Sequence, residues 1–110
     1  KDPSVTVDHA VAIGVGGAEV AIPPRGLGTD EVLQARAMIG RAARHGQGAT
    51  SALCEQIAAW AGANLADVAR IELRRTRHDA VAWFEATGAG HAPPAPLSVV
   101  RHATCEVARP

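Results

Sequence analysis

Short runs of apolar residues open the chain. Residues 4–15 (SVTVDHAVAIGV) and residues 18–22 combine β-branched side chains with small ones. A glycine pair separates the two runs, and Pro23 and Pro24 follow the second. Because glycine and proline mark turns, the pattern predicts two short strands.

A third strand is predicted near the middle of the chain, where hydrophobic and charged residues alternate. Within residues 68–75, Ile71 and Leu73 share one face of an extended chain, while arginine and glutamate occupy the other face. This alternation is typical of a strand with one buried side. Residues 97–100 and 105–108 are further apolar runs, which predict either a tight final hairpin or one longer, bent strand.

Between the second and third strands, apolar residues recur at helical spacing. Thr29 is the predicted N-cap of a first helix, with Asp30 and Glu31 in the first turn. Carboxylates there suit the positive end of the helix dipole. The segment at residues 45–48 (HGQG) predicts the end of this helix, because glycine interrupts helical structure.

A second helix is predicted to start near Thr50 or Ser51 and to end at Gly62. Its apolar residues have the i, i+4, i+7, i+8 spacing of a helix that packs on one side. This stripe consists of Leu53, Ile57, Trp60 and Ala61. Alternatively, residues 29–62 form one long helix that is broken at the glycines.

A short third helix is predicted after Asp79, and its aromatic pair, Trp83 and Phe84, is expected to pack on the sheet. The segment at residues 91–96 (HAPPAP) contains three prolines and predicts a loop. The predicted order is β-β-α-α-β-α-β(β). We therefore expect one α+β domain over residues 1–110, with a small mixed or antiparallel sheet covered on one face by two or three helices.

The composition narrows the classes of partner. Eleven basic and eleven acidic side chains give a formal net charge of zero. This balance removes the long-range attraction used by proteins that bind nucleic acid or anionic membranes, so we expect neither partner. No apolar run is long enough to span a bilayer. Large core side chains are scarce, with one Phe, one Met and no Tyr, which favours self-association.

The two cysteines, Cys54 and Cys105, lie in a predicted helix and a predicted strand and form no short-spaced pair. Because isolated cysteines are commonly buried as free thiols, we expect both to be reduced. A cytoplasmic location follows from that expectation.

Catalytic motifs are few. The five histidines include no convincing i, i+4 helical pair and no neighbouring cysteine pair, so no metal site is predicted. Residues 14–17 (GVGG) precede a proline loop rather than a helix, which favours a turn over a dinucleotide-binding motif. The chain has no G-x-S-x-G nucleophile motif. No cofactor is expected.

Four arginines cluster on and after the third strand, at positions 70, 74, 75 and 77. Arg74 and Arg75 are candidates for binding the carboxylate or phosphate of a small-molecule substrate, because guanidinium groups bind such anions bidentately. The alternatives are a solvated strand face or ion pairs between subunits. Aromatic residues are not interleaved with these arginines, which disfavours single-stranded nucleic acid as the ligand.

Several segments of the chain resemble parts of a known protein family. Residues 57–73 (IAAWAGANLADVARIEL) and residues 7–13 (VDHAVAI) are two of these segments. They resemble the helix-to-strand transition and the early strand of the Rid family, also called the YjgF family. Residues 79–85 and 91–100 resemble its second helix and the entry to a later strand. Members are small trimeric proteins that include enamine and imine deaminases. The resemblance implies a chorismate-mutase-like fold and a homotrimer whose subunit clefts bind, and as a hydrolase deaminate, a small carboxylated metabolite.

The same resemblance implies roles for particular residues. Pro96 stands where the family has its carboxylate-binding arginine, so Arg101 or an arginine of a neighbouring subunit is expected to take that role. Glu106 corresponds to an acidic residue that would place water beside an imine carbon and move its proton. Ser98 corresponds to a small polar residue of the family. The predicted catalytic residues are Glu106 and Ser98, and the predicted substrate-binding residues are Arg101, Arg74 and Arg75.

A noncatalytic role is the alternative. Residues 26–32 and 92–100 look like pieces of β-ketoacyl synthases, and the order of strands and helices resembles the tunnelling fold of pterin enzymes. The active-site residues of those families have no clear counterpart in this sequence. These resemblances therefore imply a structural or interaction subunit of a biosynthetic assembly.

Overall fold

The computed structural model describes residues 3–108, which form a four-stranded sheet and three α-helices. The strands are β1 (Ser4–Gly14), β2 (Glu19–Ala21), β3 (Val68–Asp79) and β4 (Ser98–Glu106), and the helices are α1 (Val32–His45), α2 (Gln47–Asn64) and α3 (Ala80–Gly88). A 3₁₀ turn at Pro24–Leu27 precedes α1. The predicted α+β class is confirmed.

The sheet is antiparallel throughout, in the order β2–β1–β3–β4. β1 and β3 pair along nearly their whole length, from Ser4 opposite Asp79 to Gly14 opposite Val68. β2 is three residues long and pairs only with the C-terminal half of β1. The N-terminal half of β1 therefore lies at an edge of the sheet.

Helices α1 and α2 pack against one face of the sheet and enclose the hydrophobic core with it. On β3, Ile71 and Leu73 point to this face and are completely buried, as their alternation predicts. The stripe of α2 contributes Ile57 and Ala61, which are also completely buried. Side chains of the other parity on β3, such as Arg74, lie on the opposite surface of the sheet, which we call the open face.

Helix α3 and the loop at residues 89–97 cover one end of the open face. Asp79 caps α3, since its carboxylate accepts a hydrogen bond from the main-chain N–H of the helix's third residue at 2.9 Å. Trp83 is buried and packs on His78, with ring centroids 4.7 Å apart. Phe84 is exposed. The predicted packing of this aromatic pair on the sheet is therefore right for Trp83 and wrong for Phe84.

The start of α1 differs from the prediction. Thr29 is not the N-cap, because the helix begins at Val32. The Thr29 hydroxyl instead accepts a hydrogen bond from the main-chain N–H of Glu31 and donates one to Gln34 Oε1 at 2.7 Å. These bonds organise the turn before the helix, so the polar residue marks the approach to α1 rather than its first turn.

Residues 29–62 do not form one helix. Gly46 has a φ of 108°, a conformation that favours glycine, and it separates α1 from α2. α2 begins at Gln47, earlier than predicted, and passes through Gly62 to end at Asn64. Gly62 lies inside the helix, where the lack of a side chain leaves room for the main-chain oxygen of Ala108 beyond β4. No helix in the described part of the chain is long and apolar enough to cross a lipid bilayer.

The third strand is longer than predicted, and the final segment takes the second of its two predicted forms. β3 continues to Asp79 instead of ending at Arg75, because Thr76 and His78 are buried on the open face beneath α3 and the loop that follows it. β4 is one strand and not a hairpin. Its register with β3 shifts at His102, which forms a β-bulge.

Cys54 and Cys105 form a disulfide that joins α2 to β4, with Cα atoms 6.2 Å apart. The expectation of reduced cysteines is therefore wrong. The two residues are 51 positions apart in the sequence and meet only because α2 packs across the sheet onto β4. The expectation of a cytoplasmic location rests on reduced thiols, so the disulfide removes its basis.

Candidate ligand-binding cleft

The two predicted catalytic residues lie at opposite ends of β4. Ser98 is the first residue of the strand and pairs with Arg77, whereas Glu106 is the last and pairs with Arg70. At roughly 3.4 Å per residue, their Cα atoms are about 27 Å apart. Both side chains are exposed. A single chain therefore does not bring these two residues into one site.

Arg74 lies on the open face and is engaged by two carboxylates. Its Nε donates to Glu72 Oε1 at 2.9 Å, and its two terminal nitrogens donate to the Glu19 carboxylate at 2.9 and 3.0 Å. The hydrogen bonds from Arg74 to Glu19 and Glu72 raise the pKa of Arg74 despite its partial burial. All three guanidinium nitrogens thus have partners within the chain, and the charge is already balanced.

Arg101 is the most exposed of the three predicted substrate-binding arginines. Its side chain is 61% exposed, and its only carboxylate contact among residues 3–108 is Glu72 Oε2 at 3.6 Å. Burial of the Glu72 side chain opposes ionisation, but the hydrogen bond from Arg74 and the nearby charges of Arg74 and Arg101 lower its pKa. The open face therefore carries a connected ion network around an ionised Glu72.

Arg75 points to the opposite side of the sheet from Arg74. It donates two hydrogen bonds to the Asp8 carboxylate, at 2.9 and 3.1 Å, and His102 Nε2 lies 3.0 Å from the same carboxylate. Burial raises the pKa of Asp8, but the hydrogen bonds from Arg75 and His102 outweigh this effect and lower it. Arg74 and Arg75 consequently cannot act on one ligand within a chain.

A cleft of about 410 Å³ lies where α3 and the proline loop meet the open face. β1 and β3 form its floor, and α3 and the loop form one wall. The side chain of Arg36 on α1 closes the side next to the edge of the sheet. The polar and aromatic residues that line it are His9, Glu19, Arg36, Arg74, Thr76, His78 and Trp83. Among the arginines of residues 3–108, only Arg36 and Arg74 line this cleft.

Arg36 differs from Arg74 because no carboxylate of residues 3–108 neutralises it. Its guanidinium lies over the ring of Trp83, 5.9 Å from the centroid, in the geometry of a cation–π contact. No hydrogen bond or ion pair joins it to another side chain in residues 3–108. The cleft therefore contains a positively charged group that is held in place by an aromatic ring and is available to an anion.

His9 is half-buried on the floor of the cleft, and its Nδ1 is enclosed without a hydrogen-bond partner. Burial lowers the pKa of His9, and the positive charges of Arg74 and Arg36 lower it further. A contact with the main chain of Val7 raises the pKa and so offsets part of this decrease. It does not give Nδ1 a hydrogen bond. The ring is consequently neutral at neutral pH.

His78 holds the wall of the cleft in position. Its Nδ1 lies 3.1 Å from the main-chain oxygen of Pro94, and its Nε2 lies 2.9 Å from the Thr76 hydroxyl. Because a carbonyl oxygen only accepts, Nδ1 carries the proton, and in the neutral ring Nε2 accepts from Thr76. These bonds fix the ring against which Trp83 packs, and thereby the aromatic surface beneath Arg36.

Sequence reasoning did not select His9, Arg36 or Trp83 as site residues. They are distant in the sequence and belong to three different elements. One signal was available: His9 interrupts a row of alternating apolar residues in β1 that includes Val7 and Val11. A histidine inside an otherwise apolar row is an unusual feature of a buried strand face.

Comparison with known proteins gives no relative for this chain. No protein-family model matches it, and neither the curated proteins nor the solved structures include a match. Within residues 3–108, no group of three or more histidine, cysteine, aspartate or glutamate side chains is placed to hold a metal ion.

Proposed function

We propose that the protein binds a small carboxylated metabolite in the cleft, with Arg36 as the residue that holds the carboxylate. The observation that carries the proposal is the guanidinium of Arg36, which has no carboxylate partner within residues 3–108 and lies over Trp83 in a cleft of about 410 Å³. An arginine that is partly removed from water and lacks a counter-ion is stabilised by a ligand carboxylate, which can accept two parallel hydrogen bonds from it.

The charges around the cleft support a single anionic group. Glu19 is the acidic side chain that lines the cleft, and Arg74 neutralises it through two hydrogen bonds. Arg36 then remains as the unbalanced charge, and neutral His9 adds a polar group on the floor. The ligand class agrees with that implied by the family resemblance, but Arg36 replaces Arg101, Arg74 and Arg75 as the carboxylate-binding residue.

Binding of pentanoate tests this proposal when it is compared with binding of its neutral analogue, pentanamide. Arg36→Gln removes the charge, and we expect it to weaken pentanoate binding by about 1.5–3 kcal/mol, which is tenfold or more in the dissociation constant. Arg41→Gln is the matched control, because Arg41 is exposed on the same helix and lies outside the cleft. Isothermal titration calorimetry measures both variants, after circular dichroism has shown that they are folded.

The loss of affinity in Arg36→Gln should be specific to the charged ligand. Pentanamide binding should be nearly equal in the wild type and the Arg36→Gln variant, because a neutral amide gains no ion pair. Equal pentanoate affinities for the wild type and Arg36→Gln would contradict the proposal, as would an equal loss in Arg41→Gln.

A Rid-like imine hydrolase is the finer form of this proposal. Glu106 lies at the end of β4 far from the cleft of its own chain, so a catalytic role for it requires the cleft of a neighbouring copy. Ammonia release from freshly generated imino acids should then fall when Glu106 or Arg101 is replaced by alanine. No ammonia from any imino acid tried, together with intact pentanoate binding, would favour the alternative of a noncatalytic binding or interaction subunit.

Self-association into a homotrimer belongs to the same finer proposal. Exposed apolar side chains on β4, including Val99 and Val100, and the charged open face are surfaces that another copy can cover. Native mass spectrometry should show three chains per particle, and the mass of a single chain at all concentrations would contradict the trimer.

A further inference from the structure

An apolar compartment of about 260 Å³ adjoins the cleft. It lies between the edge of β1, the 3₁₀ turn and the first turns of α1. Its hydrophobic lining includes Ala10, Ile22, Pro23, Leu27, Val32 and Ile39. His9, Ala21 and Arg36 line both this compartment and the cleft. Arg36 therefore stands at the junction of a polar space and an apolar one.

We propose that the ligand is an amphipathic monocarboxylate, whose carboxylate binds Arg36 and whose apolar chain enters the compartment beneath α1. This inference rests on the proposed function and adds the class of ligand. The junction has the two properties that such an acid requires, a guanidinium without a counter-ion and hydrophobic walls directly beside it.

The compartment offers no unpaired charge to a second polar group. Asp8 is its acidic lining residue, and the carboxylate of Asp8 is already bonded to Arg75 and His102. A second carboxylate on the ligand would lose its hydration next to apolar walls without gaining a cation. We therefore expect monocarboxylates to bind more tightly than dicarboxylates of the same length.

The length of the apolar chain should set the affinity. Burial of one methylene contributes about 0.8 kcal/mol, which corresponds to roughly a fourfold change in the dissociation constant. We expect this gain for each carbon added from butanoate to hexanoate, and we expect glutarate to bind at least tenfold more weakly than pentanoate. The dissociation constants are measured by calorimetric titration of each acid into the wild-type protein.

Val32 provides a variant that fills the compartment. It is 50% exposed, lines the compartment and is the first residue of α1, so a larger side chain is tolerated there. In Val32→Phe the increase in affinity from butanoate to hexanoate should disappear. The affinity for propionate should stay within twofold of the wild type. Val81→Phe is the matched control, because Val81 is 58% exposed on α3 and lines neither space.

A direct measurement covers the case in which the new phenylalanine turns to solvent. In the wild-type complex, nuclear Overhauser effects should join the terminal methyl group of hexanoate to the methyl groups of Val32 and Leu27. Effects to Trp83 alone would place the chain in the cleft and overturn the inference.

The failures of the two proposals are distinguishable. If no acid in the series binds in a manner that depends on Arg36, the proposed function itself fails. If pentanoate binding requires Arg36 but affinity is equal from butanoate to hexanoate, only the amphipathic ligand is excluded. A gain per carbon that is present in the wild type and in Val81→Phe and absent in Val32→Phe supports the inference.

Discussion

The arginines of this chain differ in their surroundings, and the surroundings determine whether each one can bind a ligand anion. Arg74 is bonded to two glutamates and Arg75 to an aspartate. Arg36 rests on an aromatic ring and has no carboxylate partner in the described part of the chain. Because an arginine that is already paired gains little from a ligand anion, the candidate site depends on Arg36 and not on the arginine cluster of β3.

Asp8 should make the stability of the protein depend on pH. Its pKa in the folded chain lies below the usual 3.8, so the ionised form stabilises the fold above pH 3.8 and this contribution is lost as the pH falls through the lowered pKa. Asp8→Asn should reduce the free energy of unfolding by about 1–3 kcal/mol at about pH 6, because Arg75 and His102 lose a charged acceptor.

Urea unfolding at several pH values measures this difference. The gap between the wild type and Asp8→Asn should narrow as the pH falls below 3.8. Asp30→Asn is the control, since Asp30 is exposed and contacts neither Arg75 nor His102. A gap that stays constant down to the acid transition would show that the ionised carboxylate is not what stabilises the fold.

At the residue scale, the sequence shows which residue types are present but not which of them meet in space. The cluster of arginines on and after the third strand suggested Arg74 and Arg75 as partners for a ligand anion. Adjacent residues of a strand point to opposite faces, and only the pairing of β1 with β3 shows which acidic groups each one meets. The position of Arg36 depends on how α1 crosses the edge of the sheet, which no local pattern specifies.

Among the elements, α1 contains a glycine whose replacement should destabilise the fold. A Cβ atom added at Gly40 would lie 2.8 Å from Asp8 Oδ2, so either α1 or the Asp8 carboxylate, which Arg75 and His102 hold in place, would have to move. In an unobstructed helix interior, alanine is about 0.5–1 kcal/mol more favourable than glycine. We expect Gly40→Ala instead to lower the free energy of unfolding by about 1–3 kcal/mol, as overpacking does.

Gly48→Ala in α2 is the matched comparison for Gly40. A Cβ atom added at Gly48 would meet no atom within 4 Å, so this substitution should leave stability unchanged or raise it slightly. Denaturant unfolding of the two variants gives the test. Equal changes in the free energy of unfolding of the two variants would mean that the contact between Gly40 and Asp8 does not oppose a larger side chain.

The elements themselves were largely predictable where one face of each is buried. The alternation of Ile71 and Leu73 and the stripe through Ile57 gave the correct strand and helix because burial on one side imposes a period. The ends were less predictable. β3 extends to Asp79 because α3 and the proline loop cover residues beyond the predicted end of the strand at Arg75, and this covering is a tertiary effect.

In the whole molecule, the sheet separates the hydrophobic core from the candidate ligand-binding cleft. One face, with α1 and α2, forms the hydrophobic core, and the other carries the ion network and the cleft beneath α3. The α+β class could be anticipated from the order of patterns. The cleft could not be anticipated, because its lining comes from all four strands, from α1 and α3, and from the proline loop.

The disulfide between Cys54 and Cys105 should stabilise the whole molecule. It closes a loop between residues 51 positions apart, and crosslinks of this kind typically contribute about 2–4 kcal/mol. A reducing agent should therefore lower the urea midpoint of the wild type. The Cys54→Ala/Cys105→Ala double variant should not respond to the reducing agent. An unchanged midpoint after mass spectrometry has confirmed full reduction would contradict this contribution.

The central claim is that a carboxylate binds beside Arg36 in the cleft, and the two tryptophans of the chain allow a direct test. Trp83 lines the cleft, whereas Trp60 lies outside it, near Arg25. Titration with propionate, followed by the two indole N–H signals in ¹H–¹⁵N spectra, should shift the Trp83 signal in a saturable way and leave Trp60 unchanged. The shift should vanish in Arg36→Gln. A Trp83 signal that does not move in the wild type, or that moves equally in Arg36→Gln, would contradict the claim.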